Sequence, residues 1–132
     1  TFTLRKKTVL AVCRDIIHRQ LDIRWAAISR VDTVDDEILH WMRRAGCIQI
    51  SYGVESGSRE IRDYYGKPID SATINRAFDL TVRYGIMARA YFIYGAPGES
   101  SQTIDDSLAW KPLSTSSSIN SGVSVRKLSS LR

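Results

Sequence analysis

The sequence is poor in cysteine, since only Cys13 and Cys47 occur among its 132 residues. Their separation of 34 positions matches no metal-binding motif, and neither His18 nor His40 has a second histidine or a cysteine at ligand spacing. We therefore expect both cysteines to be small buried side chains and both histidines to have packing or surface roles. Free thiols without a secretion signal are typical of a reducing compartment and predict a cytoplasmic protein.

Long apolar runs are also missing from the sequence. No stretch approaches the roughly 18 consecutive apolar residues that a membrane helix needs. Residues 1–7 carry charge without the apolar segment of a signal peptide behind them. We therefore expect neither a signal peptide nor a membrane partner.

The net charge of +5 is unevenly distributed along the sequence. Residues 111–132 contain four basic and no acidic residues, whereas residues 1–110 contain 15 basic and 14 acidic residues. A nucleic-acid-binding face needs positive charge clustered on the folded part of a protein. The distribution therefore predicts no nucleic-acid partner.

Apolar residues recur at helical spacing in some segments and form short continuous runs in others, and the two kinds of segment alternate. The predicted helices cover residues 4–21, 33–45, 58–65, 70–84 and 101–110. The predicted strands cover residues 23–29, 47–52 and 87–94. Strands separated by helices are typical of an α/β fold with a parallel sheet.

Several helix ends carry recognisable signals. Thr33 and Asp70 are placed to cap the helices that follow them, because a side-chain oxygen there can accept from free backbone N–H groups. Gly46 and Gly85 are placed to end helices in the left-handed conformation. These signals fix the predicted boundaries.

Residues 111–132 differ from the rest of the sequence, since they contain eight serines, no acidic residue and no clear periodicity. Such a composition is typical of a disordered or foreign segment. We expect a folded domain over residues 1–110 and a disordered or non-native tail over residues 111–132. A native linker remains the alternative.

The candidate site lies in the segments that follow the strands, because parallel α/β folds bind ligands beyond the carboxyl ends of their strands. Glu55 lies between Gly53 and Gly57, whose backbones allow a ligand to approach closely. Its carboxylate can accept hydrogen bonds from ribose hydroxyls or an ammonium group. A helix-capping role for Glu55 is equally open at this stage.

Two further segments have comparable alternatives. Arg30 follows the first strand and can pair either with a ligand carboxylate or with Asp32 or Asp35. The GAPGE segment, residues 95–99, can line a flat aromatic ring such as adenine or can be no more than a Pro-Gly turn.

Taken in order, these segments resemble the radical S-adenosylmethionine (SAM) superfamily, and most closely its Fe–S oxidoreductase branch with cobalamin-binding N-terminal domains. The resemblance covers residues 1–110. The motifs that carry it are Trp25 with RVD (residues 30–32), AGC (45–47), ISYGVESGS (50–58), GK (66–67), YGI (84–86) and FIYGAPGES (92–100).

The resemblance implies strands three to five of a (β/α)6 partial TIM barrel. It also implies SAM and a [4Fe-4S] cluster as cofactors of the full-length protein, in some members with cobalamin. In this family the reduced cluster cleaves SAM to a 5′-deoxyadenosyl radical, which abstracts hydrogen from the substrate. The resemblance does not specify the substrate or the reaction of the full-length protein.

The resemblance also implies a set of SAM-binding residues in this chain. Glu55 and Ser56 would hold the ribose or methionine portion of SAM, Arg30 would meet its carboxylate, and Ile93 would pack near the adenine. The full implied set is Arg30, Gly53, Glu55, Ser56, Ile93 and Gly95. The adenine segment departs from the family pattern, since Tyr91 replaces a glycine and Glu99 comes one residue late.

The largest departure from the family is the missing Cys-x-x-x-Cys-x-x-Cys segment, whose thiolates are the ligands of the cluster. The Gly-Gly-Glu region and the sixth strand are missing too. We therefore expect an internal fragment that is inactive alone, binds no cofactor tightly and can self-associate through exposed strand edges. The alternatives are a small α/β module that binds a nucleotide or phosphate, and a non-catalytic remnant.

Overall fold

The computed structural model describes residues 1–111 and the backbone of residues 124–127. Helices and strands alternate along it. The helices are α1 (Lys6–His18), α2 (Asp36–Arg44), α3 (Arg59–Tyr64), α4 (Ser71–Arg83) and α5 (Ser101–Ala109), with 3-10 turns at Phe2–Leu4 and Val31–Thr33. The strands are β1 (Trp25–Ser29), β2 (Cys47–Glu55), β3 (Met87–Tyr94) and β4 (Ser124–Lys127).

The described strands form one parallel sheet in the order β1-β2-β3-β4. Ala27, Ile50 and Ala88 lie side by side across its first three strands. The predicted α/β class with parallel strands is therefore confirmed. Strand β4 lies within the predicted tail, and the rest of that tail, residues 112–123 and 128–132, falls outside the described part of the chain.

The core lies between the sheet and the helices that cover one of its faces. Tyr52 on β2 and Phe92 on β3 are fully buried there, and the rings of Tyr52 and Phe78 on α4 are 5.2 Å apart. The Tyr52 hydroxyl is satisfied in this apolar setting by a 2.7 Å hydrogen bond with the hydroxyl of Thr81. These contacts fasten α4 against the middle of the sheet.

The opposite face of the sheet is exposed at β1, whereas Ser51 at its centre is only 2% exposed. Side chains alternate between the faces of a strand, and Ile28, Ser51 and Arg89 are register neighbours on this second face. Ile28 is 62% exposed. In a closed or partly closed barrel, one face of every strand lines the interior, and this open face is the one that leads to the carboxyl-end groove described below.

The predicted cap of α4 is confirmed, because a carboxylate oxygen of Asp70 accepts a 2.7 Å hydrogen bond from the N–H of Thr73. The predicted cap of α2 is wrong. Asp35 caps that helix by accepting from the N–H of Ile38. Thr33 belongs to a 3-10 turn before the helix, and its hydroxyl donates back to the carbonyl of Arg30.

The predicted left-handed helix ends are confirmed at Gly46 and Gly85, whose φ angles are +90° and +70°. At Gly46 the requirement is also steric. A Cβ there would lie 2.0 Å from the carbonyl oxygen of Ile23, so a larger residue would clash with the segment that leads into β1.

Strand β1 pairs only with β2 among the described residues, so its other edge is free. The self-association expected from exposed edges stays a prediction. No helix in the described part of the chain is long and apolar enough to cross a membrane.

Candidate ligand site at the carboxyl ends of the strands

A groove of about 330 Å³ lies where the first three strands end. Its size is within the range of small-molecule sites. The chemically distinctive residues around it are Arg30, Gly53, Glu55, Lys67, Tyr91 and Ile93. The structure thus brings together four of the six predicted SAM-binding residues, namely Arg30, Gly53, Glu55 and Ile93.

Glu55 reaches the groove through an irregularity at the end of β2. The register with β3 shifts between Gly53 and Glu55, which leaves Val54 as an extra residue, and Glu55 adopts a φ of +69°. Both a bulge and a left-handed non-glycine residue are unusual, and both concentrate at functional sites. Only 7% of Glu55 is exposed, so its carboxylate is largely removed from water.

Lys67 provides the counter-charge for Glu55 through a direct ion pair. Gly53 makes room for this pair, because a Cβ on Gly53 would lie 2.6 Å from Glu55 Oε1 and 3.2 Å from Lys67 Nζ. The sequence analysis missed Lys67 as a site residue. Lys67 is 12 positions from Glu55, so no local pattern connects the two residues. The only signal for Lys67 was the GK motif (residues 66–67) in the family resemblance.

Arg30 lines the groove, but its guanidinium is held by Asp32. The pair is two-pronged, with Nε to Oδ1 at 2.9 Å and Nη2 to Oδ2 at 2.7 Å. This contact lowers the pKa of Asp32 and raises that of Arg30. The structural pairing considered for Arg30 is therefore present, and its role toward a ligand carboxylate stays a prediction.

Ser56 does not line the groove as the structure describes it, although it follows Glu55 directly. It is 1% exposed, and its hydroxyl lies 3.1 Å from that of Ser107 on α5. The same oxygen accepts from the N–H of Ser58. The bulge sends Glu55 and Ser56 in different directions, so a direct contact of Ser56 with SAM stays a prediction.

The segment after β3 forms a turn that closes on itself. The N–H of Glu99 donates to the carbonyl of Ala96 with Gly98 at φ +83°, which is the pattern of a type II turn with proline and glycine at its centre. The Glu99 carboxylate accepts a 2.7 Å hydrogen bond from the N–H of Gly95. Ile93 lines the groove, whereas Gly95 directly precedes the turn and is not among the groove residues.

The described residues do not fit an iron–sulfur cluster. Cys13 and Cys47 are both fully buried, and burial raises the pKa of each thiol to about 11. Cluster ligands are thiolates, so these two thiols are poorly suited to the role. No group of three or more His, Cys, Asp or Glu side chains in residues 1–111 could hold a metal ion.

The groove does fit the sugar portion of a nucleoside-like ligand. Glu55 supplies a carboxylate that can accept hydrogen bonds, and Lys67 supplies an ammonium group that can donate them. Both side chains occupy the space that a side chain on Gly53 would fill. Tyr91 and Ile93 supply apolar surface on the neighbouring strand. A few polar groups within an apolar lining are the usual composition of a ligand site.

The chain is similar to known proteins over most of its length. An uncharacterized methyltransferase, PH0819, of Pyrococcus horikoshii is 33% identical over 105 residues, which is 80% of this chain and 23% of that protein. The anaerobic magnesium-protoporphyrin IX monomethyl ester cyclase of Rubrivivax gelatinosus is 28% identical over 83% of this chain and 21% of that protein. The chain thus spans about a quarter or less of the curated relatives that it matches.

A solved structure and a family model add to the sequence relatives. The cobalamin-dependent SAM radical enzyme OxsB matches 76% of this chain and 16% of its own, with a TM-score of 0.68 and 25% identity. The model of the radical SAM superfamily matches residues 1–110. The resemblance and the partial-barrel fold expected from it are therefore confirmed, and the chain belongs to the radical SAM superfamily.

Proposed function

We propose that this chain supplies part of the SAM-binding site of a larger radical SAM enzyme, with Glu55 as the residue that holds the ribose. The observation that carries the proposal is the buried Glu55 carboxylate, turned into the groove by a bulge and a left-handed φ. Such strained geometry persists only where the surrounding structure maintains it.

The chemistry of the groove favours a ribose over a phosphate. A carboxylate accepts hydrogen bonds, so two ribose hydroxyls can donate to Glu55, whereas a phosphate beside it would be repelled. Lys67 balances the buried charge of Glu55 and can also pair with the carboxylate of the methionine portion. This argument weakens the alternative of a phosphate-binding module.

Tyr91 and Ile93 would provide the apolar surface for the adenine, because both lie on β3, which pairs with the strand that carries Glu55. Arg30 would be a second partner for the methionine carboxylate if it leaves Asp32. Gly53 makes room for the Glu55–Lys67 pair, and Ser56 and Gly95 belong to the two loops on either side.

The activity of the longer protein is a wider proposal. SAM supplies a 5′-deoxyadenosyl group in this family, but the two buried cysteines of this chain offer no cluster ligands. We therefore expect the chain by itself to bind SAM weakly and to leave it uncleaved. A cobalamin requirement for the longer protein is suggested by OxsB, whose name describes it as cobalamin-dependent.

The test is a titration of the 15N-labelled chain with SAM, adenosine and methionine, followed by chemical-shift changes. We expect SAM and adenosine to shift the amides of residues 53–57 with a dissociation constant on the order of millimolar. Glu55→Gln should weaken adenosine binding about tenfold, since it removes a charged acceptor.

Glu60→Gln is the matched control, because Glu60 is an exposed carboxylate on the neighbouring helix α3. It should bind adenosine as the unaltered chain does. Equal binding of adenosine by Glu55→Gln and the unaltered chain would contradict the assignment of Glu55, and absence of any shift with SAM at several millimolar would contradict the proposal itself.

A further inference from the structure

Arg62 is the only lysine or arginine that is buried in the described part of the chain, with 3% of the residue exposed. It lies on the short helix α3, between the Glu55 loop and the Lys67 loop. Arginine is almost never fully buried unless it is paired. Its burial here therefore requires an explanation from its contacts.

The partners of the guanidinium are neutral oxygens. Nη1 donates to the carbonyls of Ser56 and Gly57 at 3.0 and 2.8 Å, and Nε donates to the carbonyl of Ile69 at 3.0 Å. Nη2 donates to the hydroxyl of Ser71 at 3.3 Å. No carboxylate forms an ion pair with Arg62 within residues 1–111, and burial lowers the pKa of its guanidinium.

These hydrogen bonds connect the two segments that present the ion pair. Ser56 and Gly57 follow Glu55 directly, and Ile69 lies two residues after Lys67. The backbone of Arg62 contributes too, since its carbonyl accepts a 2.9 Å hydrogen bond from the N–H of Lys67. Arg62 therefore contacts the chain close to both members of the pair.

We propose that Arg62 is a positioning residue that sets the placement of Glu55 relative to Lys67, and through it the ligand-binding geometry of the groove. A planar guanidinium with donors in fixed directions can hold two backbone segments at one separation, which a lysine cannot do. The inference rests on the proposed function only for the identity of the ligand that the pair receives.

The same contacts could instead do no more than stabilise the fold. The two possibilities differ in one measurable quantity, the coupling between Glu55 and Lys67. If Arg62 only adds stability, its replacement lowers the stability of every variant equally and leaves the coupling intact. If Arg62 positions the pair, its replacement reduces the coupling itself.

The experiment is a double-mutant cycle on Glu55→Gln and Lys67→Met, measured by urea denaturation, in the unaltered chain and again with Arg62→Lys. In the unaltered chain we expect the coupling to change the unfolding equilibrium constant about fivefold or more. With Arg62→Lys we expect less than about a twofold coupling, because one ammonium cannot reach all four oxygens.

Ser71→Ala provides a milder second variant, since Ser71 is exposed and accepts only one of the four hydrogen bonds. It should retain the fold and reduce the coupling by a smaller factor than Arg62→Lys. Arg59→Lys is the matched control, because Arg59 is an exposed arginine on the same helix. It should leave both stability and coupling unchanged.

A coupling of equal size in the Arg62→Lys and unaltered backgrounds would overturn the proposal and leave Arg62 a structural residue. A reduced coupling would support it whether or not SAM binds, because the cycle contains no ligand. Adenosine titration of Arg62→Lys then tests the ligand separately, with an expected weakening of about fivefold beside unchanged binding by Arg59→Lys.

Discussion

The two loops that flank the groove are fastened in different ways. In the first, residues 56–58, the N–H of Gly57 donates to Ser107 on α5, and Arg62 binds two of the carbonyls. In the second, residues 95–99, the hydrogen bonds that the structure describes close within the loop, from Gly95 to Glu99 and from Glu99 to Ala96.

The difference indicates which part of the site is formed before a ligand arrives. A loop that is hydrogen-bonded to neighbouring helices holds its residues in place and loses little freedom on binding, whereas a loop whose hydrogen bonds close within it can adjust more readily. The carboxylate side of the groove is therefore the preorganised side, and the side expected to face an adenine is the adaptable one.

The largest expected effect comes from Gly57→Ala, which attacks the fastened loop directly. A Cβ at Gly57 would lie 2.3 Å from the backbone carbonyl oxygen of Asp106, so α5 would have to move. We expect the free energy of unfolding to fall by about 2–3 kcal/mol in urea denaturation. Gly66→Ala is the control, since its site is open and only its φ of +66° is unfavourable, at about 1 kcal/mol. Equal losses for the two variants would show that the first loop is not held against α5.

Ser107→Ala should have the next largest effect. The Ser107 hydroxyl accepts from the N–H of Gly57 at 2.8 Å and contacts the hydroxyl of Ser56, and all of these groups lie in a largely buried setting. Removing it leaves a backbone donor without a partner, so we expect a loss of about 1–2 kcal/mol in the free energy of unfolding. Ser101→Ala, at an exposed position of the same helix, should change it by less than about 0.5 kcal/mol. Matching values for the two serines would argue against the anchoring role of Ser107.

Gly98→Ala tests the self-contained loop. Gly98 has a φ of +83° and no heavy atom near the place where a Cβ would lie, so the cost is backbone strain of about 1 kcal/mol. Because this loop has no described hydrogen bond to the first loop, we expect amide exchange to accelerate at residues 95–99 and to remain unchanged at residues 56–58. Faster exchange in both loops would mean that they open together.

Much of the fold was predictable because its signals are local. Asp70 lies next to the helix that it caps, Gly46 lies at the end of the helix that it terminates, and the apolar run of β3 gives its own boundaries. The prediction of Thr33 as the cap of α2 failed because Asp35, two residues later, takes that role. That choice depends on the 3-10 turn packed before α2, which no local pattern specifies.

The site was predictable only in part, for a related reason. Glu55 was predicted because it directly follows an apolar strand. The orientation of the Ser56 side chain depends on a bulge that no sequence pattern predicts. Lys67 reaches Glu55 to form the ion pair because the short helix α3 brings the chain back toward the end of β2. Arg62 was missed because an arginine on a short polar helix usually faces solvent, and its burial depends on carbonyls contributed by two separate loops.

The smallest expected effect is electrostatic and belongs to the adaptable loop. Burial raises the pKa of Tyr94, and the charge of Glu99 raises it further, because a nearby carboxylate opposes formation of the phenolate. Glu99→Gln removes the charge but keeps an oxygen that can accept from the N–H of Gly95. We therefore expect the Tyr94 pKa to fall part of the way toward its ordinary value, while stability changes by less than about 1 kcal/mol. Because Tyr94 is one of six tyrosines, the measurement is an NMR titration that follows its own ring signal. Glu60 does not contribute to the raised pKa of Tyr94, so Glu60→Gln should leave that titration unchanged. A Tyr94 pKa that does not respond to Glu99→Gln would place the Glu99 charge farther from β3 than the closed turn allows, and would mean that the loop is already open in solution.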